Sequence, residues 1–130
     1  MRIALLAMGL LLPIVCGCRV SESNGPARHT VTGTVTFEGK PLESGLISFE
    51  AADDAAIGLA PASSEIVDGK YSLTATTGKK TVKVSRTVEA GRDQITQDPI
   101  LKESIPAKYN QKSTLEYAVV EGDNSHDIAL

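Results

Sequence analysis

Asp68-Gly69 restricts the fold of this chain more than any other feature, because it separates Glu65-Ile66-Val67 from Lys70-Tyr71-Ser72-Leu73, two runs rich in strand formers. A two-residue connection of this kind needs positive φ at both positions, which Asp and Gly tolerate best, so the segment predicts a tight antiparallel hairpin. Tyr71 and Leu73 then share one face.

The same period of two recurs along the chain. Val31, Gly33, Val35 and Phe37 alternate with Thr30, Thr32, Thr34 and Thr36, and Glu38-Gly39-Lys40-Pro41 reads as the turn that ends that strand. Leu46 to Glu50 is a second strand, with Ile47 and Phe49 on one face. Gly78-Lys79-Lys80 reads as a solvated hairpin tip leading into Thr81 to Ser85, where Val82 and Val84 face inward and Thr81, Lys83 and Ser85 outward. Thr114 to Val120 and His126 to Leu130 are the last strands, joined by Glu121-Gly122-Asp123-Asn124. Ala51 to Ser63 is expected to be an Ala- and Asp-rich loop with one weak strand at Ile57 to Ala60. Glu89 to Lys112 is expected to be a long polar loop with an apolar island at Ile100, Leu101 and Ile105.

Seven or eight short strands, frequent turn signals and no amphipathic helix predict an all-β sandwich, and no fixed repeat suggests a solenoid. The chain has 130 residues, enough for one domain. With two Phe, three Tyr and no Trp, its core has to be built from Val, Ile, Leu and Ala.

The amino-terminal segment has different chemistry. Arg2 precedes an apolar run from Ile3 to Leu12, broken by Pro13 and ending in the small residues Cys16 and Gly17, which is the layout of a signal peptide. The run is too short to span a bilayer, which takes about 20 residues. Val15-Cys16-Gly17-Cys18 resembles a bacterial lipobox, with an aliphatic residue at −3, a small one at −1, and Cys18 as the thiol to be lipidated. An ordinary secretory signal cleaved near Gly17 is the alternative. Both cysteines lie here, so the body folds without a disulfide or a thiolate metal site. A diacylglyceryl group on Cys18 with an N-acyl chain exceeds what lasting membrane attachment requires. Arg19 follows the cysteine where many inner-membrane lipoproteins carry Asp, so a Gram-negative host would place the protein at the outer membrane. Residues 1–17 are thus expected to be signal peptide, 18–29 a lipidated cysteine and polar tether, and 30–130 the β domain.

With strands placed, Val31-Thr32-Gly33-Thr34-Val35, Gly39-Lys40-Pro41-Leu42, Gly45-Leu46-Ile47-Ser48-Phe49 and Asp68-Gly69-Lys70-Tyr71 together resemble the carboxypeptidase regulatory-like, transthyretin-like domain. The likeness extends to small lipoproteins of that type common in planctomycetes, which carry an Ile-Pro-Ala-Lys-Tyr-Asn element like Ile105 to Asn110. The resemblance implies a prealbumin-like Greek-key β-sandwich of about seven strands and fixes no activity. Transthyretin-fold hydrolases use histidines with a Tyr-Arg-Gly-Ser ending; this sequence closes His126-Asp127-Ile128-Ala129-Leu130, so that chemistry is not expected.

No residue set suggests catalysis. His29 falls in the tether and His126 beside Asp127 on a strand, each without a partner acid or base. Ser63 and Ser64 lack a nucleophile elbow, and Asp53-Asp54 or Asp93 with Asp98 lack the spaced loop of a calcium site, so all four read as solvated carboxylates. No catalytic, cofactor or metal residue is assigned. Ile105, Pro106, Tyr109 and Asn110 read as an anchor pinning the long loop to the sandwich. The net charge of −3, and −4 once the first seventeen residues with their one Arg are removed, gives no reason to seek nucleic acid. The expected role is a non-enzymatic, lipid-anchored envelope module that binds an envelope protein or polysaccharide. A purely structural lipoprotein is the alternative, and the sequence leaves the oligomeric state open.

Overall fold

Strand β1, Arg28–Phe37, sets the long axis of the molecule: Val31 and Val35 are fully buried, while Thr30, Thr32 and Thr34 face solvent. The computed structural model describes residues 25–130, so the expected signal peptide, Cys18 and most of the expected tether lie outside the described residues. Arg28 and His29, assigned to the tether from composition, belong to β1, where they pair with Thr76 and Ala75. Backbone pairing carries the strand past the end of its apolar pattern.

The remaining elements follow in chain order as β2 (Lys40–Pro41), β3 (Ser44–Glu50), α1 (Ala52–Ala56), β4 (Ala62–Val67), β5 (Lys70–Thr76) and β6 (Gly78–Ser85). Then come β7 (Thr87–Arg92), β8 (Pro99–Glu103), a 3-10 turn at Ala107–Tyr109, β9 (Glu116–Val119), β10 (Asn124–Ser125) and β11 (Ile128–Ala129). The main sheet has the order β10-β1-β5-β4-β3-β6-β9, with β2 and β11 also on β1, and β7-β8 forms a separate ribbon. Within it, β6-β3-β4-β5 is a Greek key.

β4 and β5 pair only at Val67 and Lys70, around the Asp68-Gly69 turn, whose φ angles are 50° and 73°. Beyond that point they diverge, and the curled sheet closes over one core in a sandwich-like, all-β fold. Ile47, Phe49, Ile66, Val82 and Val84 fill the core, and Phe49 meets the rings of Tyr71 and Tyr117 at 6.2 and 6.1 Å. Each such side chain contributes roughly 1.5–3 kcal/mol by leaving water.

Four expectations are corrected. The weak strand expected at Ile57 to Ala60 is absent: the short helix α1 precedes it, its Ala residues favouring helix and Asp53 and Asp54 lying in its first turn. Glu89 to Lys112 is no open loop but the β7-β8 ribbon followed by the 3-10 turn. Gly78-Lys79-Lys80 is no hairpin tip but the start of β6, with Lys80 only 2% exposed. Among the described residues the strands number eleven against about seven expected, because β2, β10 and β11 are two-residue segments and β7 and β8 stand outside the sandwich. The final segment lies parallel to β1, with Asn124 beside Val31 and Ile128 beside Val35.

Candidate functional site

The register gives the sandwich two distinct ends. Arg28 pairs with Thr76, β6 begins two residues later at Gly78, and Glu50 pairs with Thr81, so the start of β1, α1 and the start of β6 share one end. Phe37, the Asp68-Gly69 turn, Ser85 and the base of the β7-β8 ribbon share the other. Ten residues of β1 separate the ends by about 30 Å at roughly 3.3 Å per residue.

At the near end lies a polar cluster. Lys80 Nζ donates to Asp54 Oδ2 and to Thr76 Oγ1, both at 2.5 Å, and the Thr76 hydroxyl donates to the Asp54 carboxylate at 2.8–2.9 Å. The Lys80 hydrogen bond holds the Asp54 carboxyl below its usual range; burial opposes this and Thr76 reinforces it. Asp54 is therefore no solvated loop carboxylate. It fastens α1 to the start of β6, a link with no local sequence signal because the partners lie 26 positions apart.

At the far end an open cleft of about 780 Å³ is lined by the apolar side chains of Phe37, Pro41 and Leu42. Glu38, Glu43 and Asp68 add carboxylates to the lining, and Lys40 and Arg86 add cations. The lining has no hydroxyl, thiol or imidazole side chain, and its mixture of both charges with apolar groups is chemically suited to meeting another surface.

Beside the cleft stands the arm formed by β7 and β8, every residue of which is exposed. Its base is fixed: Glu103 Oε1 accepts hydrogen bonds from Arg86 N at 2.8 Å and Ile105 N at 2.9 Å, and Ser104 N and Oγ both donate to Arg86 O at 2.8 Å. Its tip is closed by Asp93, whose Oδ1 accepts from Thr96 N at 2.9 Å and Ile95 N at 2.8 Å. Those two backbone donors, Thr96 first, hold the Asp93 carboxyl below its usual range. Asp93 thus caps a turn, and Asp98 joins it through its carbonyl, which accepts from Asp93 N. Ile95 (92%), Leu101 (63%) and Ile100 (49%) are exposed on this ribbon, on which no further layer packs among the described residues.

The Ile105 to Asn110 element follows the arm. Ile105 is buried in the core, Pro106 is exposed, and Tyr109 packs partly against the core with Lys108 Nζ 4.7 Å from its ring centroid. Asn110 is buried and donates through Nδ2 to the carbonyls of Ile105 and Pro106, while its Oδ1 accepts from Gln111 N. Among the described residues no cluster of three His, Cys, Asp or Glu side chains is placed to hold a metal ion, and no helix is long and apolar enough to cross a membrane.

The two histidines are separated. His29 Nδ1 accepts from Gly122 N at 3.1 Å, whereas the His126 ring stacks on Tyr117 with centroids 4.3 Å apart. Burial lowers the His126 pKa from its ordinary 6.5, with Asp127 partly opposing. The folded state then takes up the proton less readily than the unfolded chain, so the contribution is complete above about pH 6.5 and declines below it. Replacing His126 by Gln is expected to flatten unfolding free energy against pH below about pH 6.5, as measured by urea titration.

No family model matches the sequence, and no curated protein matches it. The resemblance to the carboxypeptidase regulatory-like family therefore rests on the sequence elements themselves. Among solved structures, the chain is similar to a DUF3823 family protein from Bacteroides ovatus, with 20% identity and a TM-score of 0.38 over 79% of this chain and 44% of that one. A DUF3823 family protein from Parabacteroides merdae gives 13% identity and a TM-score of 0.43 over 81% and 46%. A 9R-lipoxygenase from Cyanothece gives 10% and 0.46 over 85% and 18%. The chain spans less than half the length of each of these structures.

Proposed function

We propose that this chain is a non-catalytic, lipid-anchored module of the bacterial envelope, of the carboxypeptidase regulatory-like type, which holds its far end toward a protein partner. The observation that carries the reading is the polarity of the fold. The chain enters the sandwich at Arg28, while the cleft and the arm lie at the opposite end, about 30 Å along β1. Acylation of Cys18 would place the near end at the membrane and turn the recognition surface away from it.

A protein suits that surface better than a polysaccharide. Sugar rings are commonly held on exposed aromatic faces, and all five aromatic side chains of the chain (Phe37, Phe49, Tyr71, Tyr109 and Tyr117) are buried or half-buried. Unpaired strand edges and exposed aliphatic side chains are what an extended polypeptide recognises.

Cys18→Ser is expected to move the protein from the membrane to the soluble fraction, and unchanged detergent partitioning would refute the anchor. A photo-crosslinking residue at Glu43 in the far cleft should give one defined protein adduct in intact envelopes, and the same residue at Asp53 should give none. Equal labelling at both would remove the polarity, and no adduct at either would return the chain to a structural spacer.

A further inference from the structure

We propose that the β7-β8 arm pairs with the arm of a second copy of this chain, the two β7 strands lying antiparallel about a two-fold axis between Ala90 and Gly91. The inference deepens the reading of the far end as the binding end by naming its partner.

The arm is a two-stranded sheet whose outer edges have no partner strand among the described residues. The two edges differ. β8 begins with Pro99, which has no N–H to give, and ends with Glu103, whose carboxylate is committed to the base. β7 carries neither restriction.

Charge selects the occupant and the register. Glu89 pairs with Leu101 and Arg92 with Pro99, so two residues of β7, Ala90 and Gly91, oppose one residue of β8 in a bulge. Three positions apart on a regular strand, Glu89 and Arg92 would face opposite sides; the bulge brings them to one face, where Arg92 Nε lies 3.3 Å from Glu89 Oε1. An antiparallel copy centred between Ala90 and Gly91 sets Glu89 opposite Arg92 of the second copy and Arg92 opposite Glu89 of the second copy. Both pairs are opposite in charge and within cross-strand reach. Moving the register by two residues in either direction loses both matches. The arm is therefore self-complementary, as a two-fold interface requires.

Sedimentation velocity on the soluble Cys18→Ser chain reads this association whether or not the anchor assignment holds. The parent chain should show a concentration-dependent dimer that weakens with salt. Glu89→Arg and Arg92→Glu alone should each weaken it by tenfold or more, and the double exchange should restore it to within about threefold of the parent. Circular dichroism matching the parent keeps a folding defect from imitating the effect. A parent chain that stays monomeric at several hundred micromolar would overturn the proposal. So would dimerisation indifferent to all three variants, single variants with no rescue in the double, or an arm that crosslinks only to a different protein.

Discussion

Asp54→Ala is expected to lower folding stability by about 3 kcal/mol, the lower end for breaking a buried ion pair by deleting one partner. Lys80 is 2% exposed and makes its hydrogen bonds to Asp54 and Thr76. With the carboxylate gone, an ammonium group that is 2% exposed is left facing one hydroxyl in place of a counter-ion and two hydrogen-bond partners. In a domain of this size that loss lowers the midpoint of thermal unfolding by on the order of 10–20 °C. Lys80→Met removes the same ion pair from the other side and should change stability by less than about 1.5 kcal/mol, because the Asp54 side chain is 22% exposed and can take water instead. Urea midpoints for the two variants decide the matter: a Met variant as damaged as the Ala variant would show that the pair itself, not the stranded ammonium, holds the junction.

The pH dependence follows from the direction of the Asp54 shift. Its carboxyl is depressed chiefly by the hydrogen bond from Lys80, so its contribution is fully present above the ordinary carboxylate pKa and is lost as pH falls through the depressed value. Acid unfolding of the parent should have a component that Asp54→Ala lacks.

The legible parts of the fold are those whose causes are local. Asp68-Gly69 announces its turn because few dipeptides tolerate two successive positive φ angles, and the structure has both. Ile47 with Phe49, Tyr71 with Leu73 and Val82 with Val84 are readable because alternation and burial coincide at each. Lys80 gives conflicting signals: counting back by twos from Val84 and Val82 reaches Lys80, so register assigns it to the core while its charge suggests solvent. The resolution is Asp54, which no local pattern connects to it. The arm was hidden for a different reason. Its strands carry charges and a Gly on a ribbon exposed on both faces, so there is no alternation to read. Its six-residue tip from Asp93 to Asp98 gives a weaker signal than a two-residue turn. The candidate site inherits that difficulty. Its cleft is assembled from Phe37, Leu42, Asp68 and Arg86, which only the closed sheet brings together.

Gly33→Ala is the second substitution expected to be severe, at about 3 kcal/mol, for a reason the strand alternation does not reveal. A Cβ at position 33 would overlap the carbonyl of His126 and come within 3.0 Å of the Tyr71 ring. Neither neighbour can retreat cheaply. The His126 carbonyl accepts a 2.6 Å hydrogen bond from the Tyr71 hydroxyl, and His126 N donates to Thr32 O at 2.9 Å. Burial raises the Tyr71 pKa, so that hydroxyl keeps its proton at ordinary pH and remains a donor. Making room therefore means breaking those bonds and lifting the carboxy-terminal segment from β1, which also withdraws Ile128, 5% exposed, from the core. Hydrogen exchange reads this directly: the amides of His126 and Leu130, which donate to Thr32 and Thr36, should lose protection in Gly33→Ala, while Gly25→Ala, with nothing within 4 Å, should leave them unchanged. Because the freed segment would uncover the edge of β1 beside the buried Val31 and Val35, the variant should also aggregate as its concentration rises. Unaltered protection at both amides would mean that the backbone around Gly33 yields more easily than its close packing implies.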